Sequence, residues 1–114
     1  MIARIWRGAV RPGDGDAYVA YIEETGIREY RETPGNISAH MLRRDLPDRT
    51  EIITLTFWDS MESIKAFAGD DPERAVYYPE DDRFLIERPE HVEHYDVPVS
   101  EPPADHTGAT GPGQ

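Results

Sequence analysis

The chain has 114 residues, with 12 Lys and Arg against 23 Asp and Glu, a formal charge of −11, 10 Pro, 9 Gly and no Cys. That length holds one domain, and an acidity unbroken by any basic stripe argues against nucleic acid or an anionic membrane as partner. Thiolate zinc, disulfides and cysteine nucleophiles are excluded, and no stretch approaches the roughly 18 apolar residues of a membrane span, so a cytoplasmic protein is expected.

Residues Ile2 to Val10 alternate, with Ala3, Ile5 and Arg7 on one face and Ile2, Arg4, Trp6 and Gly8 on the other, until Pro12-Gly13 breaks a first strand. From Asp14 or Asp16, both good N-caps, Tyr18, Tyr21, Ile22 and Thr25 trace one stripe of a helix running to about Tyr30, with Gly26 as its weak point. Thr33-Pro34-Gly35 is turn chemistry, and Asn36 to Arg44 alternate as a second strand closed by Leu46-Pro47-Asp48. The run EIITLTFW is a third strand, with Ile53, Leu55 and Phe57 on an apolar face and Ile52, Thr54, Thr56 and Trp58 on the other. Asp59 or Ser60 caps the next helix, Met61, Ile64, Phe67 and Ala68 share its stripe, and Gly69 ends it. Asp71-Pro72 opens a short further helix carrying Ala75, Val76 and Tyr77, and an acidic loop, Pro79 to Asp82, follows. His91 to Val97 form the last strand, bracketed by Pro89 and Pro98.

The order βαββαβ predicts an α+β, ferredoxin-like protomer: four antiparallel strands with both helices on one face. The face carrying Ile53, Leu55 and Phe57 then lacks a cover, which predicts a homodimer. The folded domain spans residues 1–97, and residues 98–114, with little apolar surface, read as a Pro/Gly-rich flexible tail.

Chemistry is sparse. His91 and His94 lie three apart on a strand and face opposite ways, so they do not chelate one ion, and no metal site is expected. His40, on a strand between Ala39 and Met41, reads either as a general base in a pocket or as a half-buried hydrogen-bonded histidine. Trp6, Trp58, Phe67, Tyr77 and Tyr78 could line one cleft for a flat organic ligand or simply fill the core. Arg4 shares a face with Trp6, where it meets either an anionic or enolate group or one of the many acids. Glu80-Asp81-Asp82 lacks the spacing of a calcium loop and reads as solvated. Phosphate-loop, dinucleotide, serine-hydrolase and zinc-protease motifs are all missing.

The strand MIARIW with RPGDGDAY, the TPGN turn, the TFWDSMESIKAF junction and the ERAVYYPEDDRFL segment together resemble the antibiotic biosynthesis monooxygenase domain of the dimeric α/β-barrel superfamily over about residues 1–97. The resemblance implies a dimer whose sheets form a barrel, with a pocket in each protomer between sheet and helices. It also implies chemistry that needs neither metal nor flavin, in which the anion of a phenolic or enolic substrate reacts with dioxygen. In the haem-degrading branch of that superfamily the site uses an Asn, a Trp and an iron-ligating His, where this chain has Trp6, Phe67 and Tyr77; a tyrosinate can ligate haem iron, but all three positions depart.

Three readings result. The first is a cofactor-free oxygenase acting on a small aromatic or polyketide-like molecule, with His40 as base and Arg4 or a tyrosine hydroxyl, here Tyr77, steadying the anion. Trp6, Thr54, Thr56, Trp58 and Phe67 would then bind the substrate. The second is a non-catalytic dimeric barrel that binds a hydrophobic metabolite or assists another enzyme. The third is an interaction domain that uses its acidic surface.

Overall fold

The computed structural model describes residues 1–101. The expected tail lies outside the described residues from 102 onward, and His106 with it.

The centre of the sheet is a pair of strands. β1 (Ile2–Val10) runs antiparallel to β3 (Thr50–Trp58) along its whole length, with Ile2 opposite Trp58 and Val10 opposite Thr50. β2 (Asn36–Asp45) flanks β3, and a bulge between Asn36 and Ser38 adjusts its register. On the far side of β1 lie two short pieces, β4 (Leu85–Glu87) beside Ala9 and Val10 and β5 (Glu93–Asp96) beside Ile2 to Ile5. Taken as one interrupted strand, these complete the order of a ferredoxin-like fold.

One face of the sheet is covered. From β3 it presents Thr50, Ile52, Thr54, Thr56 and Trp58, all buried. Across them runs a single rod made of α1 (Gly15–Ile22), a π-helical turn (Glu23–Ile27) and α2 (Arg28–Glu32). Its buried positions from Tyr18 onward, Ile22, Gly26 and Tyr30, are spaced by four. Such a stripe drifts about 40° per step on an ordinary helix. The wider π turn takes up part of that drift and keeps Tyr18 and Tyr30 over the same sheet face. Asp14 precedes the rod without a side-chain capping bond, so the expected cap is not made. α3 (Met61–Ala68) does have one: the Ser60 hydroxyl accepts the Ser63 N–H at 3.2 Å, and Gly69, at φ 93°, ends the helix.

The other face carries Ile5, Ile53, Leu55 and Phe57 in the middle, with Leu42 45% exposed beside them, and no helix among the described residues crosses it.

Two expectations fail after Gly69. No helix follows Pro72: Glu73 and Ala75 instead bond the backbone of Val92 and Glu90, and Arg74 pairs with His91. Pro79 turns Tyr78 away from helical geometry, and the bonds to residues 90–92 take backbone groups that a helix would use. The acidic loop is also not all solvated, because α4 (Asp81–Phe84) buries Asp81 and Phe84. The last strand begins at Glu93 rather than His91, and β4 precedes it unforeseen. No described helix is long and apolar enough to cross a membrane.

Candidate functional site

Arg4 stands on the covered face of β1 and is 3% exposed. Its guanidinium donates to the Arg74 carbonyl at 3.1 Å and lies 5.5 Å from the centre of the Phe67 ring, but its Nε has no partner. No carboxylate among the described residues forms an ion pair with it, whereas ten other pairs do form on the surface. A buried cation without a counter-ion is costly, and burial already pulls its pKa down.

The guanidinium borders a cavity between the sheet and the helical rod. Trp6 and Thr54 form its floor, Tyr18, Ile22 and Tyr30 its roof, and Tyr77, Tyr78 and Asp81 its far wall. The remaining free space is about 20 Å³ on the scale of a water molecule, enough for about one. Tyr77 closes the wall: its hydroxyl accepts from Trp6 Nε1 at 3.2 Å, donates to the Pro89 carbonyl, and its ring carries Arg88 at 4.3 Å. Gly8 lets the Trp6 indole lie flat against the strand, since a Cβ there would land on the indole ring.

Tyrosine hydroxyls dominate the lining, and each has a different partner. Tyr30 meets the Thr54 hydroxyl at 3.4 Å, Tyr78 donates to the exposed Glu29, and Tyr18 donates to Asp81 Oδ1 at 2.9 Å. Asp81 is 1% exposed, and its Oδ2 accepts the Tyr78 backbone N–H at 2.6 Å. Burial, with the Asp81 carboxylate second, pushes the Tyr18 phenol far above its ordinary range; burial and the Glu29 bond do the same to Tyr78.

Of the expected site residues, Arg4, Trp6, Thr54 and Tyr77 come together here. Thr56 and Trp58 are buried behind them, where the Trp58 indole donates to the Thr56 hydroxyl at 2.8 Å. Phe67 packs between Arg4 and Tyr30 without reaching the cavity. His40 is a correction. It pairs with Leu55 on the open face, bonds Ser38 at 3.1 Å and packs edge-on to Phe57, so the sheet itself separates it from Arg4. The histidine near Arg4 is His94, directly across from it on β5; its Nε2 is buried and unpartnered, and burial and then Arg4 lower its pKa. Asp81 and Tyr18 were missed as site residues, because an acidic run signals solvent and a helical tyrosine signals core.

Haem does not suit these donors. The cavity lining contains no histidine, and Tyr77, the only replacement ligand at the expected place, has its oxygen engaged by Trp6 and Pro89. Among the described residues no cluster of three His, Asp or Glu could hold a metal ion. A broader depression of about 500 Å³ on the open face, walled by Arg7, Arg44, Glu51 and Glu87, is a weaker candidate. Its charges already neutralise one another, as in the Arg44–Glu51 pair at 2.7 Å.

Comparison with known proteins agrees with this architecture. A Bacillus cereus protein named for antibiotic biosynthesis monooxygenase superposes with a TM-score of 0.60 at 19% identity, covering 90% of this chain and 97% of its own. A Nitrosomonas europaea protein of the same designation gives 0.60 at 15%, covering 87% and 100%. The haem degrader MhuD of Mycobacterium tuberculosis, solved with two haems in its active site, gives 0.58 at 15%, covering 90% and 100%. At these identities the likeness is one of fold. No curated protein matches the sequence. The model of the antibiotic biosynthesis monooxygenase family matches residues 1–76, which include β1, the helical rod, β2, β3, α3 and the floor and roof of the cavity, and the chain belongs to that family.

Proposed function

We propose that the protein is a monooxygenase-like enzyme that takes a small phenolic or enolic molecule as its anion, held against Arg4. The observation that carries this reading is the buried guanidinium without a carboxylate, bordering an aromatic cavity. An oxyanion there satisfies the unpartnered Nε and offsets the buried charge, which favours the ionised substrate over the neutral one. Trp6 and Tyr77 provide flat walls, and Thr54 a polar edge. The present space holds about a water, so a substrate enters by displacing Val76, Tyr77 and Tyr78, which lie in a segment without regular secondary structure.

On this reading an activated CH₂ of the substrate and O₂ give C=O and H₂O, with all four electrons coming from the substrate. This chain's share of that reaction is to stabilise the anion and exclude bulk water. The open face suits a second copy, with Ile5, Leu42, Ile53, Leu55 and Phe57 as its apolar centre. The test is oxygen uptake by the full chain with a panel of small anthrones, which carry an activated CH₂. Uptake by wild type that falls at least about 100-fold in Arg4→Met supports the reading. Binding of the same compounds without oxygen uptake favours a non-catalytic carrier, the alternative suggested by the absence of histidine from the cavity lining. Uptake that survives in Arg4→Met removes Arg4 from the mechanism.

A further inference from the structure

The cavity contains a second buried charge that the reading above leaves unused. Asp81 is 1% exposed and, like Arg4, forms no ion pair among the described residues. The guanidinium and the carboxylate border the same small space without meeting as an ion pair. Two opposite charges, each desolvated and each kept from the other, suit a ligand that sits between them and hands over a proton.

We propose that Tyr18 and Asp81 form a proton relay that takes the acidic proton of the ligand and leaves the ligand's anion opposite Arg4. The proposal rests on the anion-binding reading just given. The ligand O–H bond breaks, and its proton goes to the Tyr18 oxygen. The proton that Tyr18 held moves to Asp81 Oδ1 along the existing 2.9 Å hydrogen bond, and the electron pair stays on the ligand oxygen. Tyr18 ends as it began, and Asp81 ends neutral. The net charge of the site is the same before and after, so the transfer leaves no additional uncompensated charge among buried groups.

Geometry singles out this tyrosine. The Tyr18 oxygen donates to Asp81 and accepts from no described residue, so a lone pair remains for the ligand. Tyr77 is engaged twice, Tyr30 meets a hydroxyl, and Tyr78 leads to an exposed carboxylate that water already serves. The Tyr78 N–H holds the other Asp81 oxygen at 2.6 Å, which fixes the carboxylate toward Tyr18. Burial also raises the Tyr18 phenol, so this side chain passes a proton on rather than remaining ionised. Tyr18 is then the catalytic residue and Asp81 acts through it.

The test uses the full chain and para-nitrophenol, about one pH unit below that phenol's own ionisation. Absorbance of the bound probe reports phenol or phenolate, and calorimetry in two buffers of different ionisation enthalpy counts protons released. Wild type is expected to bind the phenolate with close to no proton released. Asp81→Asn and, should that variant fold poorly, Tyr18→Phe are expected either to bind neutral phenol or to release close to one proton per phenolate. The relay is overturned by a wild type that releases one proton, by a wild type that binds the neutral phenol, or by variants indistinguishable from it. Arg4→Met separates the two claims. If it loses about tenfold in affinity while both relay variants match wild type, the relay falls and the anion site stands. If Arg4→Met binds the probe as wild type does, or wild type does not bind it, both fall.

Discussion

Ile53 and Thr54 are neighbours on β3, yet they serve opposite surfaces. Thr54 looks under the helical rod into a space bordered by Arg4, Tyr30 and Tyr77, and Ile53 looks out beside Leu42 with no described helix above it. The covered face is polar for a core, with buried threonines, tyrosine hydroxyls and two charged side chains that form no ion pair among the described residues. The open face is apolar for a surface, and charges on it, such as Arg7 with Glu93 at 3.2 Å, are already paired. Each face reverses the usual rule for its position, as the proposed binding site on one side and the proposed contact with a second copy on the other require.

That contrast can be broken most forcefully from the open side. Leu55→Glu puts a charge at the centre of the proposed contact and should weaken a dimer by about 3 kcal/mol, roughly 100-fold in Kd. Native mass spectrometry should then show 13.0 kDa where wild type shows twice that; a wild type that is itself monomeric removes the contact altogether. On the covered side the sign reverses. Arg4→Met deletes a buried charge without a partner and should stabilise the fold by about 2 kcal/mol in urea denaturation while anion affinity drops. Gly8→Ala drives a methyl into the Trp6 ring and should cost about 1 to 2 kcal/mol, with a change in near-ultraviolet circular dichroism as Trp6 leaves Tyr77.

The smallest effect is one of pH. Burial and then Arg4 hold the His94 imidazole below its ordinary value of 6.5, so the folded chain keeps it neutral where the unfolded chain binds a proton. Stability is therefore fully present above that unfolded value and declines as pH falls through the depressed one. Replacing His94 by Gln should flatten the urea midpoint against pH in that window.

Much of this frame was legible from alternation alone. The faces of β1 and β3 follow directly from their sequences, and Ser60 and Gly69 bound α3 as their chemistry dictates. His40 shows where alternation stops. Parity within β2 separates His40 from Met41, but which of them shares a face with Thr54 depends on register. The pairing is Met41 with Thr54, after a bulge that no local signal announces. Asp81 was hidden for a different reason. Three consecutive acids carry the signature of solvent, and only the approach of Tyr18, 63 positions earlier, gives one of them a buried partner. The residues between Pro72 and Pro79 took their shape from pairing with residues 90–92, which is likewise information from across the chain.

The interruption of the outer strand reaches beyond the site. Between Glu87 and Glu93 the chain leaves the sheet, so Trp6, Arg7 and Gly8 are paired on the β3 side only. A strand in the middle of the sheet is thus an edge for a short stretch, directly beneath the wall that Tyr77 closes. Amide hydrogens of β1 that point into this gap should exchange through local opening, while their neighbours bonded to β3 wait for global unfolding. Exchange rates along one strand would then report how often the cavity's wall loosens, with no ligand in hand.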